Sequence, residues 1–179
     1  MSIVYLQQDK SNFNEVLGIK CAQLYCRIWK EAPWCENFWT PVNVLAKLQQ
    51  QLEKSQALCW LALSSPPKIV GFSWGFGVSR DELAEIASGH MLDSFFSESA
   101  KIFYFSELGV DTRKRHGGIG KKLTEKLVEH AKNCGYNKIM LRTDIRATAA
   151  RTLYEHLGFK ELGIKDAQFS ERIYYLLEH

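Results

Sequence analysis

The run Arg115-His-Gly117-Gly118-Ile119-Gly120-Lys121 concentrates what is needed to hold an anion. Glycines let backbone N–H groups approach a ligand with no Cβ in the way. A helix starting there would add its partial positive end at the same point. Such a point suits a phosphate or pyrophosphate. Two familiar phosphate motifs are excluded by residue identity. A P-loop needs a glycine at position 115 and a hydroxyl residue after Lys121, where Arg115 and Lys122 stand. A dinucleotide GxGxxG fingerprint begun at Gly118 needs a third glycine where Leu123 stands. What remains is Arg115-x-x-Gly118-x-Gly120. Metal chemistry has no comparable pattern. Cys21, Cys26, Cys35, Cys59 and Cys134 are odd in number, widely spaced and free of CxxC, and His90, His116, His130, His156 and His179 show no ligand spacing with them. Reduced thiols and no metal site are expected.

The turn needs elements to aim it. Ile102 to Val110 is apolar enough for a buried strand leading into it. From Gly118 to Asn133, Gly120, Leu123, Leu127, Ala131 and Cys134 recur at helical spacing with lysines and glutamates between them, and Gly135 supplies a stop. Lys138–Thr143 reads as the next strand. A helix capped by Thr143 or Asp144 is expected to run through Leu157 to Gly158. Strands at Phe159–Leu162 and Arg172–Leu176 follow. Upstream, Ile3–Leu6 reads as a strand, Asn12–Trp29 and Val42–Lys54 as helices, and Ala57–Leu63 and Lys68–Val78 as an antiparallel pair around Ser64-Ser65-Pro66-Pro67. Gly71, Gly75 and Gly77 point to a bulge or a close ligand approach in the second of these. Arg80–Glu98 reads as two helical pieces broken at Gly89. The order describes one mixed α/β domain with a central β–α–β unit.

Composition bounds the function classes. The 179 residues suffice for one domain with a real core, and 46% hydrophobic with 24% charged is ordinary globular composition. The apolar runs are too short to span a bilayer and the N-terminus has no signal-peptide pattern, so a cytoplasmic protein with no membrane partner is expected. The net charge of +3 is uneven. Residues 1–100 carry 8 Lys/Arg against 10 Asp/Glu, and residues 101–179 carry 15 against 10. The positive half holds the glycine turn, which fits an anionic ligand. It is too mixed in sign to argue nucleic acid. Leu177-Glu178-His179 matches the start of a Leu-Glu-polyHis purification tag, which leaves 1–176 as the domain.

Residues 102–160 resemble the GNAT superfamily of N-acetyltransferases. Arg115-x-x-Gly118-x-Gly120 matches that family's pyrophosphate loop, and Tyr154-x-x-x-Gly158-Phe159 its later motif, with Ala150 and Leu153 in place. The resemblance implies an α/β (α+β) fold: a mixed, mostly antiparallel sheet, a central β–α–β acyl-CoA core and helices on both faces. It implies acetyl-CoA as donor, bound by Leu108, Val110, Arg115, His116, Gly117, Gly118, Ile119, Gly120 and Lys121, with the Val110 N–H on the thioester oxygen. It implies Tyr154 as general acid to the departing thiolate and Glu107 as general base to the amine. Tyr104, Ser106 and Asp111 are weaker alternatives to Glu107, and a purely structural carboxylate is the competing reading. Where the family often has Asn, this chain has Ala147, leaving Thr143, Asp144 or Arg146 to contact the pantetheine arm. The expected reaction is acetyl transfer to a primary amine of a small molecule by direct attack in a ternary complex. The alternatives are a protein N-terminus or lysine as acceptor, and a non-catalytic acyl-CoA sensor. A homodimer accords with family habit. Trp29, Trp34, Phe38, Trp39, Trp74, Phe76, Phe95 and Phe96 supply core or acceptor pocket, with the Trp34–Trp39 stretch between prolines the best candidate for recognition. Glu31, Glu36 and Glu107 are placed to attract a cationic acceptor.

Overall fold

The computed structural model describes residues 2–179 and places seven strands in one sheet of order β1-β2-β3-β4-β5-β7-β6. The strands are β1 (Ile3–Gln8), β2 (Ser55–Ser64), β3 (Lys68–Val78), β4 (Ile102–Val110), β5 (Lys138–Asp144), β6 (Lys160–Lys165) and β7 (Arg172–Glu178). The helices are α1 (Glu15–Trp29), α2 (Pro41–Leu52), α3 (Arg80–Ile86), α4 (Ile119–Asn133) and α5 (Thr148–His156). Among the described residues every pairing is antiparallel except β4 with β5. That parallel step is made by the β–α–β unit through α4.

Alternation in β3 explains the layering. Phe72, Trp74, Phe76 and Val78 point to one face, where α1, α2 and α3 cover them. Gly71, Ser73, Gly75 and Gly77 point to the other face, where α4 lies close. A Cβ at Gly71 would meet Ile119 and Leu123 at 3.1 Å, and one at Gly75 would meet the Phe103 ring at 2.6 Å. Ser73 Oγ donates to the Leu123 carbonyl at 3.2 Å. The glycines of β3 therefore admit a helix and core rings rather than a ligand. The bulge expected in β3 is present at Val70, which is extra between Gly71, paired with Ala62, and Ile69, paired with Leu63. Leu123, Leu127 and Ala131 form the buried stripe of α4, as their spacing requires.

Several boundaries differ from the sequence expectation. The helix expected from Thr143 or Asp144 begins at Thr148, with no side-chain cap. Asp144 is drawn away from capping because it accepts the Arg146 N–H at 2.8 Å and the Arg146 guanidinium at 2.7 and 2.9 Å. This local turn competes successfully with a helix start. Past Gly89 only a single 3-10 turn forms, Asp93–Phe95. β7 continues through Leu177, which pairs with Ile139, and Glu178, which pairs with Lys138 and bridges to its ammonium at 3.0 Å. Two of the three residues set aside as tag-like are thus laddered into the sheet. Among the described residues no helix is long and apolar enough to cross a membrane. None of them form a group of three or more His, Cys, Asp or Glu able to hold a metal ion.

Candidate active site

The site begins where β4 leaves β5. The two strands pair only over Ile102–Phe105 with Lys138–Leu141. Ser106 is an extra residue in β4, since Trp74 pairs with Glu107 while Gly75 pairs with Phe105. Such a bulge bends a strand and resets which side chains share a face. Glu107 is thereby turned to the α1/α2 face, and Leu108 and Val110 to the α4 face. Beyond Phe105 the edge of β4 toward β5 has no strand partner, so a gap opens between them.

A cleft of about 460 Å³ runs from that gap to the glycine turn. Leu108, Gly109 and Val110 form its floor, with Ala147–Ala150 and Leu153 of α5 on one side. Residues 32–34 form the opposite wall, and Arg115, His116, Gly118, Ile119, Gly120 and Lys121 line the outer end. Gly117 is the one residue of the expected anion loop that does not line it.

The loop's conformation follows from its sequence. Buried Asp111 accepts the Arg113 N–H at 3.1 Å and the Arg113 guanidinium at 3.0 and 3.1 Å, which starts a 3-10 turn at Thr112. Those bonds hold the Asp111 carboxyl below the usual range despite its burial. Gly118 is the N-cap of α4 at φ 76, a left-handed conformation that a side chain would strain. It offers no capping oxygen, so the first-turn N–H groups, those of Ile119, Gly120 and Lys121, are open at the cleft. A Cβ on Gly120 would stand between Leu153 at 3.4 Å and Val110 at 3.6 Å, both lining residues. A larger side chain there would fill the passage. Arg115 Nη2 bonds Glu31 at 2.7 Å, and its Nε donates to the Val110 carbonyl at 3.2 Å.

Glu107 and Tyr154 flank the gap from opposite faces. The Tyr154 ring packs against Phe105, Phe159 and Tyr175 at centroid distances of 6.2, 5.8 and 6.1 Å. Burial, and after it the nearby Glu107 charge, push its hydroxyl well above the usual phenol range. Glu107 Oε1 accepts from Lys47 Nζ at 2.5 Å and from the Tyr25 hydroxyl at 3.4 Å. Burial first and Glu107 second raise the Tyr25 hydroxyl as well.

Lys47 and Tyr25 are absent from the sequence reading. Lys47 lies three residues after Val44 and four before Gln51, on the inward side of α2, and a lysine on that stripe was the available signal. Gln51 Oε1 beside it accepts from Trp74 Nε1 at 2.7 Å and from Ser106 Oγ at 3.2 Å. The other two acidic candidates are engaged elsewhere. Glu31 holds Arg115 and Thr112, while Glu36 holds Arg172 at 3.0 Å and Trp39 Nε1 at 2.5 Å. Of the aromatic candidates, Trp29, Trp74, Phe76 and Phe96 are core, Trp34 lines the cleft, and Phe38 is 67% exposed.

The end of the β4–β5 pairing at Phe105 and the uncapped glycine-rich start of α4 lie at one end of the sheet, with buried Tyr154 packed on Phe105. The profile of the Acetyltransferase (GNAT) family matches residues 22–159. The chain belongs to this family. Human N-acetyltransferase 8 is 24% identical over 143 residues, covering 78% of this chain and 56% of that protein. N-acetylaspartate synthetase of Xenopus tropicalis is 28% identical over 120 residues, covering 67% of this chain and 37% of that protein. The chain thus spans about half or less of the length of these curated relatives. Among solved structures, a GNAT-family acetyltransferase of Staphylococcus aureus Mu50 superposes with TM-score 0.71 at 17% identity over 99% of both chains. The PaiA N-acetyltransferase of Thermoplasma acidophilum, solved with coenzyme A, superposes with TM-score 0.68 at 14% identity over 100% of both. At these identities the structural likeness concerns the fold, a GNAT domain with an open seven-stranded sheet.

Proposed function

We propose that this GNAT domain transfers an acetyl group from acetyl-CoA to a primary amine of a small molecule, by direct attack in a ternary complex. The observation that carries the reading is the cleft itself. It joins an open helix N-terminus, where Ile119, Gly120 and Lys121 present N–H groups, to Leu108 and Leu153, the chain neighbours of Glu107 and Tyr154. The helix end and the basic loop hold the pyrophosphate of the donor. Leu108 and Val110 guide its arm along β4, and the Val110 N–H holds the thioester oxygen as negative charge develops there.

Tyr154 is raised above its ordinary range, so it stays protonated at neutral pH and can protonate the departing thiolate. Glu107 accepts the proton that the attacking amine loses. The small-molecule acceptor is favoured over a polypeptide by the way residues 30–40 are fastened. Glu36 bonds Arg172 of β7 at 3.0 Å, and Arg146 Nη2 donates to the Pro33 carbonyl at 3.2 Å. These contacts hold the 30–40 segment against β7 and the Asp144–Arg146 turn. The test is release of free CoA from acetyl-CoA across a panel of amino acids, polyamines, aminoglycosides and short peptides. Turnover confined to small amines is expected. Turnover confined to peptides would replace the acceptor class, and acetyl-CoA binding without any turnover would support a sensor.

A further inference from the structure

Lys47 reaches from α2 into an arrangement that the cofactor cleft does not explain. Its Nζ lies 2.5 Å from Glu107 Oε1, 5.0 Å from the centre of the Trp39 ring and 5.5 Å from that of Tyr25. One carboxylate and two aromatic faces around a single nitrogen make an ammonium site. Its walls are held in place. The Tyr25 ring stacks on Trp29 at 3.9 Å, and Trp39 is fixed through Nε1 to Glu36, which Arg172 anchors in turn. The Glu107 side chain is only 11% exposed. The occupant of this site is a primary amine, supplied by the chain itself.

The ammonium site adjoins the place of acetyl transfer. Leu108, the next residue of β4, lines the cleft, and the pairing of β4 with β5 ends at Phe105, two residues before Glu107. Tyr154 stands on the far side of the gap beyond that point, close enough for the Glu107 charge to act on it. A thioester carbonyl held in the gap lies between Tyr154 and the Glu107–Lys47 pair. Lys47 is 25% exposed, so its nitrogen also exchanges protons with water.

We propose that Lys47 is a self-modification site, acetylated on Nζ by its own chain when no other acceptor fills the gap. The proposal rests on the acetyl-CoA reading above. The Lys47 ammonium first loses one proton to water. The neutral amine attacks the thioester carbonyl, forming the C–N bond as the C–S bond breaks. Glu107 takes the second proton from nitrogen, and the leaving thiolate takes the Tyr154 proton, which the Glu107 proton restores through solvent. The products are an acetamide on Lys47, free CoA as its thiol and one proton. The amide is neutral, so Glu107 loses its ion-pair partner and the ammonium site is remade.

The test incubates the full chain with acetyl-CoA and no acceptor, and follows each lysine by peptide mass spectrometry. Lys47 is expected to be acetylated roughly tenfold or more faster than the exposed Lys121 and Lys122, because it is held in place. Its rate per molecule should not depend on protein concentration. Tyr154→Phe should slow the Lys47 product roughly a hundredfold and leave the Lys121 background unchanged. Lys47→Arg should remove that product altogether. A Lys47 rate no greater than that of Lys121, or one proportional to protein concentration, would overturn the proposal. Acetyl-CoA binding by calorimetry and CoA release with added amines are measured on the same sample. Binding and turnover with Lys47 unmodified would sink self-acetylation alone, whereas loss of binding would take both readings down.

Discussion

In the proposed reaction Tyr154 and Glu107 carry the chemistry, and they differ in how their surroundings treat them. The Tyr154 ring is packed on three sides, while its hydroxyl has no hydrogen-bond partner among the described residues. Tyr154→Phe should therefore keep the fold and acetyl-CoA affinity while lowering kcat roughly a hundredfold. Steady-state kinetics beside calorimetry separates the two quantities, and a fall in affinity equal to the fall in kcat would make Tyr154 a packing residue. Glu107 is committed to Lys47 and Tyr25. Glu107→Gln should slow turnover with the pH–rate profile altered on its acid side. It should also cost about 1–3 kcal/mol of stability by leaving a half-buried ammonium without its carboxylate. An unchanged profile with the stability loss alone would mark a structural carboxylate. The sequence offers Tyr154 as a candidate through its motif and Glu107 through its place on the central strand. It does not offer Lys47, because its partner lies 60 residues away and only α2 packing joins them.

At the scale of elements, the bulge at Ser106 and the small face of β3 build the site. The extra residue turns Glu107 away from the α4 face, and the bend it introduces opens β4 from β5. Gly71 of β3 lets α4 settle close through Ile119 and Leu123, while Gly75 and Gly77 make room for the Phe103 and Tyr136 rings. Gly75→Ala would place a Cβ 2.6 Å from both the Phe103 ring and the Tyr104 carbonyl. Urea unfolding should show it destabilised by about 1–3 kcal/mol, and a neutral result would mean that β3 and β4 can separate there. Strand and helix existence was readable here because Ile102–Val110 and the α4 stripe are strongly periodic. The start of α5 was not. Asp144 has the residue type of a helix cap, and only the structure shows it bent back onto Arg146. The role of Gly71, Gly75 and Gly77 was equally hidden, because a ligand and a packed helix both require the absence of a Cβ.

At the scale of the whole molecule, the far edge of the sheet is fastened by one buried charge cluster. Asp166, whose side chain is 0% exposed, accepts from Arg142 Nη1 at 2.6 Å and from the Tyr174 hydroxyl at 2.6 Å. Arg142 also donates to the Ile86 carbonyl at 3.1 Å, which ties α3 to β5 and to the 166–171 connection. Asp166→Ala should cost up to about 3–5 kcal/mol, since it leaves Arg142, whose side chain is only 20% exposed, without a counter-charge. Burial raises the Asp166 carboxyl, but the bonds from Tyr174 and Arg142 outweigh it and hold the group below its usual range. A depressed folded-state value means stability that is complete above the ordinary carboxylate range and lost as pH falls through the folded value. Thermal unfolding should show Tm falling as pH drops below about 4, with a shallower fall in Asp166→Asn. An equal fall in that variant would assign acid sensitivity to Asp111 and Asp144, which are also depressed.

All of these levels converge on one claim: the uncapped start of α4 holds acetyl-CoA in the cleft. Calorimetric titration of acetyl-CoA into the parent chain and into Gly120→Trp tests it most directly. Saturable binding by the parent, abolished in a variant that remains folded by circular dichroism, is the result expected from a passage bounded by Leu153 and Val110. Equal binding by both, or none by the parent, would contradict it.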